Sequence, residues 1–473
     1  MKGGNTMPVN SFENYPMSWK PNKNELTSPV YQCLADVMER DIKNGELCAN
    51  TKLPPQRELA DYLDLNLTTI TKAYKLCEMR GLIHAVVGKG TFVSPYANVP
   101  TSIVEKEHSA QIELAAIHPY YEHNKLIRDI TIEILKKPFS EQLFESSYPL
   151  GNWNQLKAGA KWISDTGLQA DIEHTMITSG VQNALSIILS SLFEAGDRII
   201  VDLYTYPNFI GLANQLHLQL VPIESDSQGI RTDLLEHICS TQKIKGIYLM
   251  PSGNNPTNLP CSAARRHELI CLIRNKNLIA IEDDNYAALF GEKLPPLAAE
   301  LPEHCIFISG LSKPVCPGLR LAYLYTPSRF HNTLEQSSFN HNLKISSLSM
   351  EIAAELVHSG LAKQIADEKR NLSIMRNRIY NEYFPSERPY LETYCQWLIL
   401  PEYCSGRLCE VALSHQGIHV FGAERFAVGN QAKCNAIRIA TCSPTDEASL
   451  RQGLESIRQF IAGERENAHS YKM

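Results

Sequence analysis

Lys313, in the run SGLSKPVCPGLRLAY, is the side chain around which the chemistry of this sequence gathers. An amine that is to attack an aldehyde must be neutral, so it needs burial or a neighbouring cation to depress its pKa. Upstream stand PSGNNPTN and IEDDNY, and Arg320 follows the lysine by seven residues. Asp283 or Asp284 can supply a carboxylate that keeps a pyridine nitrogen protonated, which makes the ring an electron sink for a bound substrate carbon. Asp283 is favoured, because Tyr286 then follows by three residues and reaches the phenolic oxygen of such a ring. Asn255, in an Asn-Pro turn after the apolar residues 247–250, is a second donor to that oxygen.

A phosphate group needs backbone N–H donors at a helix start, where the helix dipole favours an anion. Ser179-Gly180-Val181-Gln182-Asn183 follows a strand-like 175–178 and opens a helix rich in Ala, Leu and Ile, so Gly180, Val181 and Gln182 are assigned to that role. Arg320 adds a forked cation and Ser312 a hydroxyl donor. Tyr206, in LYTYPNF after the strand-like 198–201, is placed to stack on a ring face, and Arg438, in AIRIA, to grip a carboxylate. A reactive lysine, a pyridinium carboxylate and a phosphate turn together specify pyridoxal 5′-phosphate (PLP). Parallel strands would hold these groups. Residues 278–281 read as a buried strand leading to the aspartates, and doubly wound sheets place ligands at the carboxyl ends of their strands.

Taken one at a time these residues are ordinary: a Ser-Lys pair is usually solvated, and an aspartate after a strand usually caps a helix. Their order changes that. Phosphate turn, Tyr206, Asn-Pro turn, Asp283, Lys313, Arg320 and the late Arg438 follow the sequence order of fold type I aminotransferases, which residues 115–460 resemble. The resemblance is specific at Asn255, Asp283, Tyr286, Ser312, Lys313 and Arg320. It implies a PLP-dependent α/β fold over residues 112–473, with a mostly parallel large-domain sheet and a small α/β domain from about 346. It also implies a homodimer whose subunits complete each other's sites, and a return of Tyr148-Pro149-Leu150-Gly151 to the coenzyme site, where relatives place a glycine loop. Four positions depart from the family pattern. Asn258 stands where Gly is usual, Gly310 where a hydroxyl residue is frequent, and Ala322 where Gly commonly follows the arginine; Asn285 lies between the aspartates and Tyr286.

Residues 26–94 follow a different logic. Val30, Leu34, Val37, Met38 and Ile42 recur at helical spacing up to Gly45, a second short helix starts at Pro54-Pro55, and a third runs from about Thr68 to Arg80. Residues 83–93, broken by Gly88-Lys89-Gly90, read as a hairpin. Three helices and a wing suit a DNA reader, in which one helix enters the major groove and cations contact phosphates. Thr68, Thr69, Thr71 and Lys72 lie on the polar side of the third helix, with Lys75 beside them. Ile70, Ala73, Tyr74 and Cys77 face inward, and Arg57 and Lys89 are placed for backbone contacts. LPPQRELA at 53–60, TITKAY at 69–74, Gly81-Leu82-Ile83 and GKGTFV at 88–93 resemble the GntR-type winged helix-turn-helix. Asp64 replaces its usual Gly, Leu67 stands where Arg is common, and Lys89 takes the place of an Arg in the wing. Residues 1–25 form a tail and 95–111 a linker, the latter without apolar periodicity and carrying Pro95 and Pro100.

Composition bounds what else the chain can be. A net charge of −6 excludes a protein coated by nucleic acid, so DNA contact must be local: between Lys52 and Ser94, six cationic residues face four acidic ones. Thirteen cysteines without C-x-x-C or zinc-like spacing indicate thiols in a reducing compartment, with no metal. With no apolar leader and no apolar run long enough to span a bilayer, the expectation is a cytoplasmic protein without membrane partners. The two halves in this order resemble the MocR subgroup of GntR-type transcription factors. That resemblance implies a regulator whose affinity for a double-stranded DNA operator changes with PLP, or with an adduct of PLP and a small amino compound held by Arg438. The alternative is a working aminotransferase, converting amino acid to 2-oxo acid, with an accessory DNA-binding domain.

Overall fold

The computed structural model describes residues 17–44, 46–48, 51–79, 82–86, 89–94, 112–146, 150–290, 294–386, 390–429 and 434–470. These form two compact units that divide near residue 100. The linker assigned to 95–111 lies outside the described residues, as do Gly45, Arg80, Gly81, Gly88, Tyr148 and Pro149.

The first unit carries helices α1 (Val30–Lys43), α2 (Gln56–Leu63) and α3 (Leu67–Met79), followed by strands β1 (Ile83–Val86) and β2 (Gly90–Val93). The strands form an antiparallel hairpin that pairs Ile83 with Val93 and Val86 with Gly90. Helical spacing makes its core. Leu34, Met38 and Ile42 of α1, Leu59 and Leu63 of α2, and Ile70, Ala73, Tyr74 and Cys77 of α3 are all buried. The Tyr74 hydroxyl donates to the Pro54 carbonyl (2.8 Å), fixing α3 against the chain that leads into α2. Asp64 ends α2 with φ 52°, a left-handed conformation, which accounts for the glycine common at this point of the pattern. This core also reaches upstream of residue 26: Trp19 is buried and its indole N–H donates to Asp41 Oδ2 (2.9 Å).

The second unit is built on a sheet of seven strands: β3 (Thr175–Thr178), β4 (Arg198–Asp202), β5 (Gln219–Ile223), β6 (Gly246–Leu249), β7 (Ile279–Asp283), β8 (Cys305–Gly310) and β9 (Ala322–Tyr325). Their order is β3-β9-β8-β7-β6-β4-β5. Only β9 runs against its neighbours; the pairs from β8 across to β5 are parallel. The strands are rich in β-branched residues because both faces are covered: Ile200, Ile247 and Phe307 pack on one side, and Val201, Tyr248, Ile281 and Ile308 on the other. Register aligns Thr178, Ala322 and Gly310 in one row. The turns after β3, β4, β6, β7 and β8, and the turn before antiparallel β9, therefore open at the same edge. That edge carries Gly180, Tyr206, Asn255, Asp283, Lys313 and Arg320.

The strand expected at 278–281 runs on to Asp283, because the acidic residues at its end are buried within the sheet. Glu282 is satisfied there by N–H groups of Leu297 and Ala298, each 2.9 Å away. Beyond residue 346 come helices Ser347–His358 and α5 (Leu361–Tyr383), then a small antiparallel sheet of β10 (Gln396–Ile399), β11 (Phe421–Gly422) and β12 (Ala436–Ile439), in the order β10-β12-β11. A C-terminal helix, Glu447–Ser470, buries Leu450, Leu454 and Ile457 in a cluster with Ile379 and Tyr380 of α5. Among the described residues no helix is long and apolar enough to cross a membrane, and no group of three side chains could hold a metal ion. The thirteen cysteines are thiols rather than disulfides.

Candidate functional site

Lys313 stands just past β8, half-buried, with Nζ donating to the Ile117 carbonyl (3.2 Å). Two side chains hold its loop. The Tyr394 hydroxyl donates to the Lys313 carbonyl (2.9 Å), and Lys369 Nζ donates to the Val315 carbonyl (2.7 Å). Lys369 is fully buried, and desolvation pushes its amine down to about 8. Neither Tyr394 nor Lys369 was singled out in the sequence. A signal for Lys369 existed: Ala362, Ile365, Ala366, Lys369, Ser373, Arg376 and Tyr380 make the buried stripe of α5 at helical spacing, with a lysine inside it.

The two aspartates separate cleanly. Asp283 Oδ2 accepts from the Tyr248 hydroxyl (2.7 Å) and Oδ1 from Asn285 Nδ2 (2.5 Å), and burial raises its pKa to about 7. Asp284 instead accepts from the Ser252 hydroxyl (2.6 Å). Tyr248, which the sequence offers only as part of an apolar strand, is itself fixed by a stacked Phe209 ring with centroids 3.8 Å apart and planes 10° from parallel. Tyr286 packs edge-on against Tyr394, ring centroids 6.2 Å apart.

At the other end of the site Gly180 caps helix α4 (Val181–Leu192) with φ 88°. A Cβ at that position would lie 3.3 Å from Arg320 Nη2, so the glycine leaves the helix start and the guanidinium face to face. Val181 and Gln182 open the helix half-buried. Gln182 Oε1 and Thr205 Oγ1 are buried polar atoms with no protein partner. Thr205 was not foreseen; its neighbour Tyr206 was. Burial lifts the Tyr206 hydroxyl to about 12, with Asp283 raising it further and Arg320 and Arg438 opposing, so this ring feels both ends of the site. Ser312 is half-buried beside Lys313.

Arg438 of β12 is 1 % exposed, the largest fully buried side chain. Nη1 donates to Asn255 Oδ1 (2.8 Å) and Nη2 to the Ala115 carbonyl (2.6 Å), while Nε is buried without a partner. The guanidinium has five N–H groups and these two bonds use two of them, so three donors remain, Nε among them, for the carboxylate expected from the sequence. Asn255, with its carbonyl oxygen engaged, keeps its amide nitrogen as a donor. Asn258 adopts φ 59° and donates from Nδ2 to the Cys395 carbonyl (2.6 Å), which explains an asparagine in a position where glycine is common. Gly151, at φ 94°, packs against Ile177 of β3.

These residues fit PLP. A Cβ-free helix start faces a guanidinium, a buried carboxylate has two fixed donors, an amine lies on the neighbouring turn, and unpartnered polar atoms remain at Gln182, Thr205 and Arg438.

On the first unit, Thr68, Thr71 and Lys72 are exposed along α3 and Thr69 is half-exposed; Arg57 on α2 and Lys89 at the hairpin are exposed too. Asn66 Oδ1 accepts from Thr68 N and Oγ1, each 2.9 Å away, so this asparagine caps α3 and orients its first threonine. The Thr71 hydroxyl donates to Gln56 Oε1 (2.8 Å), adding Gln56 to this face.

Residues 30–93 match the family of bacterial regulatory proteins called gntR, and residues 136–457 match aminotransferase class I and II. HTH-type transcriptional regulator YdeF of Bacillus subtilis is 39 % identical over 464 residues, which cover 96 % of this chain and 99 % of the relative. The vitamin B6 salvage pathway transcriptional repressor PtsJ of Salmonella typhimurium is 27 % identical over 295 residues, 62 % of this chain and 66 % of the relative. Pyrococcus horikoshii kynurenine aminotransferase superposes with a TM-score of 0.69 at 22 % identity, covering 76 % of this chain and 92 % of that one. A gntR-type helix-turn-helix ahead of an aminotransferase fold, and a regulator matched along nearly its whole length, lead to one conclusion: the chain belongs to the GntR-type transcriptional regulators with an aminotransferase class I and II domain, the MocR subgroup.

Proposed function

We propose that this regulator binds PLP through Lys313 and that occupancy of the site changes its affinity for a DNA operator. The observation that carries the reading is the pairing of Lys313 with a buried, doubly hydrogen-bonded Asp283 at the same sheet edge as the Gly180–Arg320 cradle. When bound, PLP supplies an electrophilic carbon and an electron-withdrawing ring. The chain's residues do the rest. Lys313 anchors the coenzyme covalently, Asp283 holds a proton on the pyridine nitrogen, and Tyr286 and Asn255 donate to its phenolic oxygen. Gly180, Val181, Gln182, Ser312 and Arg320 hold its phosphate, and Tyr206 covers a ring face. Arg438 receives the carboxylate of an amino compound on its remaining donors, Nε among them. Operator affinity changes with that ligand when it binds two arrangements of the chain with different affinities, as any switch requires. PtsJ, a repressor of vitamin B6 salvage, supports a coenzyme-linked role for the relative matched here.

In this reading residues 26–94 hold the DNA reader, 95–111 the linker and 112–473 the coenzyme domain, which pairs into a homodimer. Arg57 and Lys89 contact phosphates, and the helix face of Thr68, Thr69, Thr71 and Lys72 enters the groove, with the threonines at the bases. Borohydride reduction of PLP-saturated protein followed by peptide mapping tests the anchor; a label on another lysine, or none, removes it. A second reading, an active aminotransferase, draws on the same Lys313, Asp283 and Arg438, which are the groups a half-transamination uses. Steady-state turnover with an amino donor and a 2-oxo acid distinguishes the two.

A further inference from the structure

We infer that Asn285 is a positioning residue for Asp283, and that residue 310 is glycine because the Asn285 side chain occupies the space a side chain there would take. The inference rests on the coenzyme reading above and deepens it.

The Asn285 amide is held at both ends. Its Oδ1 accepts from the Gly310 N–H (2.9 Å) and its Nδ2 donates to Asp283 Oδ1 (2.5 Å). The first bond fixes which end of the amide is oxygen, so the second is a donor to the carboxylate. A Cβ built on Gly310 would lie 2.3 Å from Asn285 Oδ1 and 2.8 Å from Val181 Cγ2, closer than any side chain tolerates. Gly310 has no left-handed backbone to require a glycine. Space is the reason that remains. The two departures from the family pattern at 285 and 310 are therefore one feature: an amide that bridges the end of β8 to the carboxylate at the end of β7.

Its effect follows from the chemistry of Asp283. The carboxylate is buried, which disfavours its charge, and donors from Tyr248 and Asn285 offset that cost. Tyr248 holds one oxygen and Asn285 the other, so together they fix both the ionisation and the rotation of the group that meets the pyridine nitrogen. Asn285 does not touch the reacting atoms; it acts through Asp283.

The test is absorbance titration of the full chain with PLP, comparing wild type with Asn285→Ala, Asn285→Asp, Gly310→Ala and the Asn285→Ala/Gly310→Ala double variant. Asn285→Asp keeps the shape and the acceptor for Gly310 N–H but exchanges the amide donor for a carboxyl group beside Asp283, so it probes the donor while Asn285→Ala removes the contact as a whole. Asn285→Ala and Asn285→Asp should each weaken PLP binding at least tenfold and alter the visible band of bound coenzyme. Gly310→Ala should do the same by displacing Asn285, and the double variant should fall nearer to Asn285→Ala alone than to the product of the single effects. Wild-type affinity and an unchanged band in folded Asn285→Ala, beside a wild type that binds PLP, overturn the inference alone. A wild type that binds no PLP overturns the coenzyme reading and this inference with it.

Discussion

Arg438 donates to Asn255 across 2.8 Å, joining β12 of the small sheet to the Asn-Pro turn that follows β6 of the large one. The bond links the residue expected to receive a substrate or effector carboxylate to a residue expected to touch the coenzyme. Any ligand that draws the guanidinium away also frees the Asn255 carbonyl, so a change at the carboxylate end is felt at the ring. The ring centroids of Phe421 and Phe426 lie 5.4 and 4.8 Å from the guanidinium and hold it in place.

Arg438→Lys keeps the charge but loses the planar fork, so it cannot bond both Asn255 and Ala115. We expect PLP absorbance to persist, affinity for amino compounds bearing a carboxylate to fall by more than tenfold, and stability to drop by about 1–3 kcal/mol from the unsatisfied buried acceptors. Ligand titration and urea unfolding measure the two effects.

Asp283→Asn should weaken PLP binding by roughly 3–5 kcal/mol, the scale for breaking one side of a buried charge pair, and Asp284→Asn far less. An equal or reversed effect would mean that Asn285 has shifted the register, against the bonds of Asp283 to Tyr248 and Asn285.

Lys369 gives a pH signature. Its amine is lowered in the folded protein to about 8, so as pH falls from the ordinary lysine range toward 8 the unfolded chain binds the proton first and folding loses stability. Below 8 the loss is complete; above the unfolded pKa it vanishes. Lys369→Met removes this dependence. The stability difference between wild type and Lys369→Met, read from urea midpoints at pH 7.5 and 10.5, should therefore shift by up to about 3 kcal/mol in favour of wild type at the higher pH. A constant difference would mean Lys369 is not the buried amine that the geometry makes it.

On DNA, Arg57→Ala and Lys89→Ala should weaken specific and nonspecific binding alike, and each should reduce the salt slope by about one unit. Thr68→Ala and Thr69→Ala should change which sequence is preferred. Gln56→Ala should act with Thr71→Ala, since Gln56 holds that hydroxyl. Footprinting of the region upstream of the gene at several salt concentrations reads all of these, and two heads in one dimer call for a repeated half-site about 10 base pairs, or a multiple, apart.

Much of this site was legible because its residues sit in local strings whose chemistry is sequential: Gly180 with the helix it opens, Asp283 with its strand, Lys313 with its turn. The helix faces of the first unit were legible for the same reason, since periodicity reports burial and Ile70, Ala73, Tyr74 and Cys77 are indeed inside. What the sequence hid is what depends on contacts between distant segments. Tyr248 bonds Asp283 from a neighbouring strand, Tyr394 reaches the Lys313 carbonyl across 81 positions, and Lys369 reaches Val315 across 54. Asn285 and Gly310 looked like two unrelated departures until register brought β7 and β8 side by side. Arg438 was found by type and place, but its present partners, Asn255 and Ala115, lie far away in sequence.

Coupling between the coenzyme site and the DNA reader is read from operator affinity measured with and without PLP. Fluorescence anisotropy of a labelled operator should give a midpoint that shifts severalfold on PLP saturation in wild type, and a much smaller shift in Lys313→Ala. Unchanged operator affinity in wild type, with absorbance confirming that PLP is bound, would contradict the account.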